Sequence, residues 1–193
     1  MPDILLELFS EEMPADIQIS ASENLKNLIT DGFAGSEIFY SSATNFSTPQ
    51  RLCVVIEGLS TQSKENIELK RGPKIDAPKR AVEGFAQSLG LTVDALTVED
   101  DKKGKYYFAT LSQPAVDTRD IASKIIENAI LKLAWPKSMR WGSSRLRWVR
   151  PLKTILCILI DKNESEIVPV KIDNIIASNM TSGHRFCLLY TSD

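Results

Sequence analysis

Residues Leu152–Ile160 read LKTILCILI and contain the longest strongly apolar run of the chain, Ile155–Ile160. Apolar side chains occupy both odd and even positions of this run, a pattern that predicts a central strand buried on both faces of its sheet. The run is far too short to cross a lipid bilayer. We therefore expect it to lie in the middle of a sheet, with the rest of the chain packed around it.

Periodic patterns on either side of this strand predict an α+β fold of mixed, largely antiparallel sheets with three main helices packed on them. The predicted strands are Ile4–Phe9, Glu37–Thr44, Arg51–Glu57, Ile67–Lys70, Tyr106–Leu111, Leu152–Ile160 and Ile167–Ile172. The predicted helices begin near Pro14, Pro78 and Asp117, and their apolar stripes run over Ile17–Ile29, Ala81–Leu89 and Ile121–Leu133. The segment Arg71–Lys74, which reads RGPK, is predicted to be a turn.

A chain of 193 residues can bury enough surface for one large core or two small ones. We expect two subdomains. The first comprises residues 1–70 and has the order β-α-β-β. The second comprises residues 71–186 and is a further α+β unit that contains a basic stretch at residues 132–153.

Positive and negative charges nearly balance, with 23 Lys and Arg against 25 Asp and Glu, but they are unevenly placed. Between Met1 and Thr48 the only cation is Lys26, whereas residues 132–153 contain no acidic residue. The near-zero net charge argues against a protein that binds nucleic acid over its whole surface. The uneven placement favours separate partners for the acidic and the basic part.

The three cysteines, Cys53, Cys157 and Cys187, lie far apart and match no metal-binding or redox spacing. We therefore expect no metal site. No secretory signal opens the chain, because Asp3 and Glu7 interrupt the first apolar run. A cytoplasmic protein without membrane association is the expectation.

The basic stretch Lys132–Lys153 reads KLAWPKSMRWGSSRLRWVRPLK and carries all three tryptophans of the chain. Its cations are Lys132, Lys137, Arg140, Arg145, Arg147, Arg150 and Lys153. Guanidinium groups bind phosphate and flat rings stack on unpaired bases, so this mixture is typical of RNA contact. The alternative is that Trp135, Trp141 and Trp148 anchor a core, with the arginine heads in solvent over them. The candidate RNA-binding residues of the stretch are Lys137, Arg140, Trp141, Arg145, Arg147 and Arg150.

A second basic segment lies at the start of the predicted second helix. Lys79 and Arg80 fall in its first turn, where the helix dipole disfavours cations, and Lys74 lies just upstream. An anion held by these side chains and the free amides of the first turn would remove the conflict. The alternative is a small, tolerated surface repulsion. The candidate residues here are Lys70, Arg71, Lys74, Lys79 and Arg80.

No catalytic residue can be assembled from the sequence. It contains no glycine-rich phosphate loop of the P-loop or dinucleotide type and no serine elbow. Lys137–Arg140, which reads KSMR, is similar to the lysine loop of one synthetase class, but the partner histidine motif of that class is missing. His184 is the single histidine, so it cannot form a metal cluster. His184 and Arg185 are candidate RNA-binding residues that would donate hydrogen bonds to phosphate. The alternative for His184 is a structural hydrogen bond.

Seven segments in order resemble the β-subunit family of bacterial glycyl-tRNA synthetase, across almost the whole chain. They are LLELFSEEMP (Leu5–Pro14), TPQRL (Thr48–Leu52), KRGP (Lys70–Pro73), AVEGFAQSLG (Ala81–Gly90), PKSMRWG (Pro136–Gly142), WVRP (Trp148–Pro151) and SGHRF (Ser182–Phe186). The chain departs from the family pattern at Phe9-Ser10, usually Gly-Thr, and at Gln50, usually arginine. The tail Cys187–Asp193 does not continue the pattern and is expected to be non-native or disordered.

The resemblance implies an N-terminal piece of a ligase subunit. In this family two α and two β chains assemble, and the α chain makes glycyl-adenylate from glycine, ATP and Mg²⁺. The β chain binds tRNA-Gly and supports the α chain. This chain is then expected to bind no cofactor and to have no catalytic residue of its own. The competing hypotheses are a stand-alone RNA-binding module and, ranked last, a small enzyme acting on a phosphate ester.

Overall fold

A computed structural model describes residues 1–64, 66–101, 104–113, 115–141, 146–162 and 164–183. The chain divides into two compact units, and the first is built from two separate segments, Met1–Ser63 and Val116–Asp193. The second unit is Lys64–Ala115, inserted between them. This division differs from the predicted one, since the expected boundary between residues 70 and 71 falls inside a strand of the second unit.

The first unit contains a five-stranded sheet, two helices and a small two-stranded ribbon. Its elements are β1 (Asp3–Ser10), α1 (Ala15–Gly35), β2 (Ser42–Thr48), β3 (Arg51–Glu57), α3 (Thr118–Lys132), β7 (Leu152–Asp161), β8 (Glu164–Ile167), β9 (Lys171–Ile172) and β10 (Ile175–Ile176). The strand order in the sheet is β2-β3-β1-β7-β8, and all neighbours are antiparallel. These sheets and helices confirm the predicted α+β class.

The core lies on one face of the five-stranded sheet, under α1 and α3. Alternate residues of β1 (Ile4, Leu6 and Leu8) are fully buried, and each lies opposite a fully buried residue of β3. Between the helices, a Cβ on Gly32 of α1 would lie 2.5 Å from Ile125 of α3, so only glycine permits this approach. The amide of Asn45 on β2 donates to Ser22 on α1 at 2.9 Å.

Strand β7 is an internal strand, but β1 is the central one. On the helix-facing side Ile155 and Cys157 are fully buried, whereas Ile158 and Ile160 on the other side are only half-buried. Leu156 on that other side is 8% exposed, so the prediction that this strand is buried on both faces holds at Leu156 and is wrong at Ile158 and Ile160. Its physical reason is that α1 and α3 both lie on the same side of the sheet.

The second unit contains a three-stranded antiparallel sheet of order β4-β6-β5 and one helix. Its elements are β4 (Asn66–Lys74), α2 (Lys79–Ser88), β5 (Leu96–Asp101) and β6 (Gly104–Gln113), with a short 3₁₀ turn at Val93–Ala95. The predicted turn at Arg71–Lys74 is wrong. Strand β4 continues through it, and an irregularity between Arg71 and Lys74 accommodates one extra residue, which explains how Pro73 is tolerated.

The helices begin where the sequence predicts. Asp117 caps α3, since its carboxylate accepts a hydrogen bond from the amide of Arg119 at 2.8 Å. The predicted strand Glu37–Thr44 is displaced to Ser42–Thr48. Glu37, which follows the C-cap Ser36 of α1, has a left-handed φ of 55° and so does not begin an extended strand. Within the described residues, no helix has the length and apolar character that a membrane span requires.

Candidate nucleic-acid interface

The tryptophans of the basic stretch lie in or against the core of the first unit. Trp148 is 1% exposed, and its ring meets that of Trp135 edge to face with the centroids 4.7 Å apart. Trp135 and Trp141 are partly buried against the same core. A fully buried ring cannot stack on an unpaired base. The expectation that the rings bind bases is therefore wrong for Trp148, for which the alternative of a core anchor holds.

Two backbone hydrogen bonds position the stretch. The amide of Met139 donates to the carbonyl of Trp148 at 2.8 Å, and the amide of Trp148 donates back at 3.2 Å. Leu133, before Met139, and Leu146, before Trp148, are both buried. The apolar residues thus attach the stretch to the core, and the cations between and beside them are left at the surface.

Four candidate cations of the stretch are exposed: Lys137, Arg140, Arg147 and Arg150. None of the four forms an ion pair with a carboxylate in the part of the chain that the structure describes. Lys153 differs, since its ammonium lies 2.8 Å from a carboxylate oxygen of Glu11 and 5.5 Å from the ring centroid of Phe9. Lys153 is therefore partly neutralised, while the four candidates present their charge to solvent.

The second basic segment lies in the second unit, on β4 and at the start of α2. The guanidinium carbon of Arg71 is 3.7 Å from the ring centroid of Tyr106, and the ammonium of Lys74 is 5.8 Å from it. Tyr106 is buried beneath these cations, so the ring serves as their support. Lys70, Arg71 and Lys74 all lie exposed at the surface.

Helix α2 adds Lys79 and Arg80, both exposed in its first turn. Pro78 precedes them without a side-chain cap, and the first turn contains no acidic residue. The ring of Phe85 on α2 packs closely over Gly72 on β4. A Cβ on residue 72 would lie 2.5 Å from this ring, so glycine permits the close packing of the helix on the strand. The unit therefore presents five candidate cations on two adjoining elements, joined by a turn in which the amide of Ala77 donates to the carbonyl of Lys74 at 2.9 Å.

Three predicted candidates, Arg145, His184 and Arg185, lie outside the described residues, as does the tail 187–193. The structure places the other ten in two groups, one in each unit. The first group is Lys137, Arg140, Trp141, Arg147 and Arg150, and the second is Lys70, Arg71, Lys74, Lys79 and Arg80.

Sequence reasoning missed a polar cluster on the sheet face turned away from the helices. Arg51 on β3 pairs with Glu7 on β1 at 3.2 Å and lies 4.6 Å from the ring centroid of Phe9. Arg51 also donates to the carbonyl of Ser182, and the hydroxyl of Thr181 donates to Glu7. Segments LLELFSEEMP, TPQRL and SGHRF meet here. The alternation that places Glu7 and Phe9 on one face of a strand was the available signal.

A cleft of about 340 Å³ at the start of α3 has the opposite charge. Its lining is Pro2, Thr61, Asp117, Thr118, Arg119, Asp120, Leu159, Asp161, Glu164 and Glu166. Five carboxylates face one guanidinium, which is itself paired with Glu166 at 2.8 Å. This cleft therefore disfavours a phosphate.

The described cysteines are unsuited to nucleophilic or metal chemistry. Burial raises the pKa of Cys157 to about 12, and burial together with the nearby Glu7 carboxylate raises the pKa of Cys53 to about 11. Both thiols are protonated at neutral pH, whereas the thiolate is the reactive form. Among the described residues, no group of three or more His, Cys, Asp and Glu could hold a metal ion.

Residues 4–191 match a family model described as glycyl-tRNA synthetase beta subunit. Curated proteins named glycine–tRNA ligase beta subunit from Paracoccus denitrificans and Cereibacter sphaeroides are each 50% identical to this chain over 186 residues, 96% of its length. One from Ruegeria is 46% identical over 186 residues. The chain spans 27% of the length of each of these relatives. The family match covers nearly all of the chain and confirms the resemblance carried by its seven segments: the chain belongs to the glycyl-tRNA synthetase β-subunit family.

Proposed function

We propose that this chain is a non-catalytic, tRNA-binding part of the β subunit of a cytoplasmic, heterotetrameric glycine–tRNA ligase. In this proposal the α subunit carries the adenylate chemistry and binds ATP and Mg²⁺. The assembly contains two α and two β chains and joins glycine to tRNA-Gly. Family membership supports the assignment to this enzyme, and the surface cations support the role in tRNA binding.

The observation that carries the RNA contact is the exposure of the cations of the basic stretch. Lys137, Arg140, Arg147 and Arg150 are held at the surface by buried neighbours, and no described carboxylate neutralises them. Such side chains bind phosphate oxygens without reading sequence. Because Trp148 is buried in the core and Trp141 is packed partly buried against it, the proposed contact is with the RNA backbone rather than with unpaired bases.

The cations of β4 and α2 form the second proposed contact. Lys79 and Arg80 are exposed, and the free amides of the first turn of α2 favour an anion there. Each unit carries its own group of candidate cations, so the RNA contact of each group can be tested by separate substitutions.

Charge reversal separates the two groups. Two variants, Arg140→Glu/Arg147→Glu and Lys79→Glu/Arg80→Glu, are compared with a control, Lys124→Glu/Lys171→Glu, which reverses two exposed cations outside the candidate set. Binding of tRNA-Gly to the chain is measured from low to moderate salt. Each phosphate interaction that a variant removes should make the slope of log K against log salt shallower by roughly 0.7 to 0.9, and the control should keep the wild-type slope.

If both candidate variants keep the affinity and slope of the wild type while circular dichroism shows an intact fold, these cations do not bind RNA. Co-purification with a glycyl α chain, followed by aminoacylation with the complete β chain, separates the ligase subunit from a stand-alone RNA-binding module. A stand-alone module would bind RNA and leave the α chain unbound.

A further inference from the structure

The sheet face turned away from α1 and α3 carries an apolar strip. Leu5 on β1 lies between Val55 on β3 and Ile158 on β7, and Ile158 lies opposite Ile167 on β8. Phe46 on β2 lies opposite Cys53 on the same face. We call Leu5, Phe46, Val55, Ile158 and Ile167 the outer strip.

The outer strip is only partly shielded from solvent. Phe46 is 57% exposed and Ile167 is 40% exposed. Leu5, Val55 and Ile158 are half-buried, whereas Leu6, Val54 and Cys157 beside them on the helix-facing side are fully buried. The strip contains no charged side chain, so it offers nothing to a phosphate backbone.

A neighbouring part of the same face is already covered by the chain itself. Thr181 donates to Glu7 and Ser182 accepts from Arg51, and the Glu7 and Arg51 side chains both lie on this face, while Ser178 just before them pairs with Leu156 along the edge of β7. Leu156, beside this segment, is 8% exposed. This face of the sheet therefore accepts polypeptide packed on it, and the outer strip is the part that the described residues leave open.

The curated relatives are much longer than this chain, and their additional polypeptide is a source for a layer over the outer strip. The matched region is 27% of the relative from Paracoccus denitrificans, so most of that chain lies outside the match. An apolar sheet face is stable when another layer packs on it, and later parts of one polypeptide are at high effective concentration for such packing. We infer that the outer strip is the docking surface for a further apolar segment of the longer β-subunit polypeptide. The inference rests on family membership and is independent of RNA contact.

Hydroxyl-radical footprinting tests this docking. The 193-residue chain is compared with a full-length chain in which its residues 1–183 replace the matching region of the Paracoccus denitrificans relative. Phe39 provides a matched control, since it is 64% exposed and lies in the connection between α1 and β2, not on a strand of the sheet. In the longer chain, oxidation of Phe46 should fall at least about fivefold relative to Phe39, as expected for a residue at the buried centre of an interface.

A pair of substitutions gives a second measurement. Phe46→Glu should lower the Tm of the longer chain by several degrees and change that of the 193-residue chain little. Ile19→Glu, at a position 67% exposed on α1, should change neither.

An unchanged ratio of Phe46 to Phe39 oxidation in the two chains overturns the inference. It is also overturned if Phe46 becomes protected in the 193-residue chain as its own concentration rises, because a second copy is then the occupant. Protection that appears only after an α chain or tRNA is added overturns it as well.

Discussion

Close contacts of single residues explain why Gly32, Arg51 and Gly72 occupy their positions. Gly72 allows the Phe85 ring to pack on β4, and Gly32 allows α1 to approach Ile125. Arg51 combines an ion pair with Glu7, a contact with the Phe9 ring and a hydrogen bond to Ser182. Each of these residues is defined by what lies opposite it in space.

Gly72→Ala should destabilise the second unit by about 1 to 3 kcal/mol, because the new Cβ would lie 2.5 Å from the Phe85 ring and the helix would have to shift. Hydrogen exchange of the amides in β4 and β6 measures the local free energy. Gly84→Ala is the matched control. No atom lies within 4 Å of its Cβ, and alanine is the better helix former, so it should stabilise by about 0.5 to 1 kcal/mol. Equal effects of the two substitutions would contradict the packing argument.

The buried thiols predict a stability that falls in alkali. The folded pKa of Cys157 is about 12 and that of Cys53 about 11, against an ordinary value of 9.0. Because both folded pKa values are raised, the stabilising contribution is complete below pH 9 and is lost as the pH rises toward the folded values. The free energy of unfolding is measured from pH 8 to pH 10.5. Cys157→Ala should make the decline shallower; an identical decline would exclude the thiol as a cause.

At the scale of elements, the basic stretch between α3 and β7 has an inner and an outer side. Leu133, Leu146 and Trp148 are buried, and the cations Lys137, Arg140, Arg147 and Arg150 of the same stretch are exposed. The composition predicted that rings and cations act together on RNA, but packing assigns them different tasks. The Trp148 ring is part of the core of the first unit, the Trp141 ring is only partly buried, and the four cations are exposed to solvent.

Trp148→Ala should cost about 3 to 5 kcal/mol of stability, because it removes a fully buried indole that contacts Trp135. Trp141→Ala should cost less, since that ring is only partly buried. Urea denaturation measures both. With Trp141→Ala, the tRNA affinity of the folded fraction should stay at the wild-type level. A folded Trp141→Ala chain with selectively weakened tRNA binding would restore base stacking as the role of this ring.

At the scale of the whole molecule, the second unit is an insertion into the first. The chain leaves and re-enters the first unit at adjacent points: Ser63 donates its amide to the carbonyl of Val116 at 3.0 Å, and Thr118 donates to Thr61 at 3.1 Å. The sheet of the first unit combines strands from both segments, since β1 lies between β3 and β7. Neither segment alone contains the complete core.

Replacing Lys64–Ala115 by a short Gly-Ser linker should therefore leave the first unit folded, because the two ends to be joined are already hydrogen-bonded neighbours. Thermal unfolding followed by circular dichroism measures this. Residues 71–186 alone provide the contrast, since β7 then lacks β1 and should not fold. A cooperative transition in residues 71–186, or none in the linked first unit, would contradict the division of the chain.

Local patterns identified most elements. Strict alternation predicted β1 and β3 because side chains of a strand point alternately to its two faces. Prolines and Asp117 predicted where the helices begin. The prediction failed at Arg71–Lys74, where Gly-Pro indicates a turn by local preference but the pairing with β6 continues the strand. The cations of the candidate site were identifiable by residue type, whereas their exposure and their pairing with carboxylates were not, because both depend on the fold.

By itself, the sequence determined the α+β class, the three helices, the family and the basic character of two surface segments, because each is written in residues close together along the chain. Only the tertiary structure decided that Trp148 is buried, that Lys153 pairs with Glu11, that Arg51 joins Glu7 to Ser182 and that residues 64–115 form an inserted unit. These depend on contacts between segments far apart in the chain. The spacing of apolar residues along a strand or helix indicates which of its faces is apolar. Which element packs on that face depends on the tertiary structure.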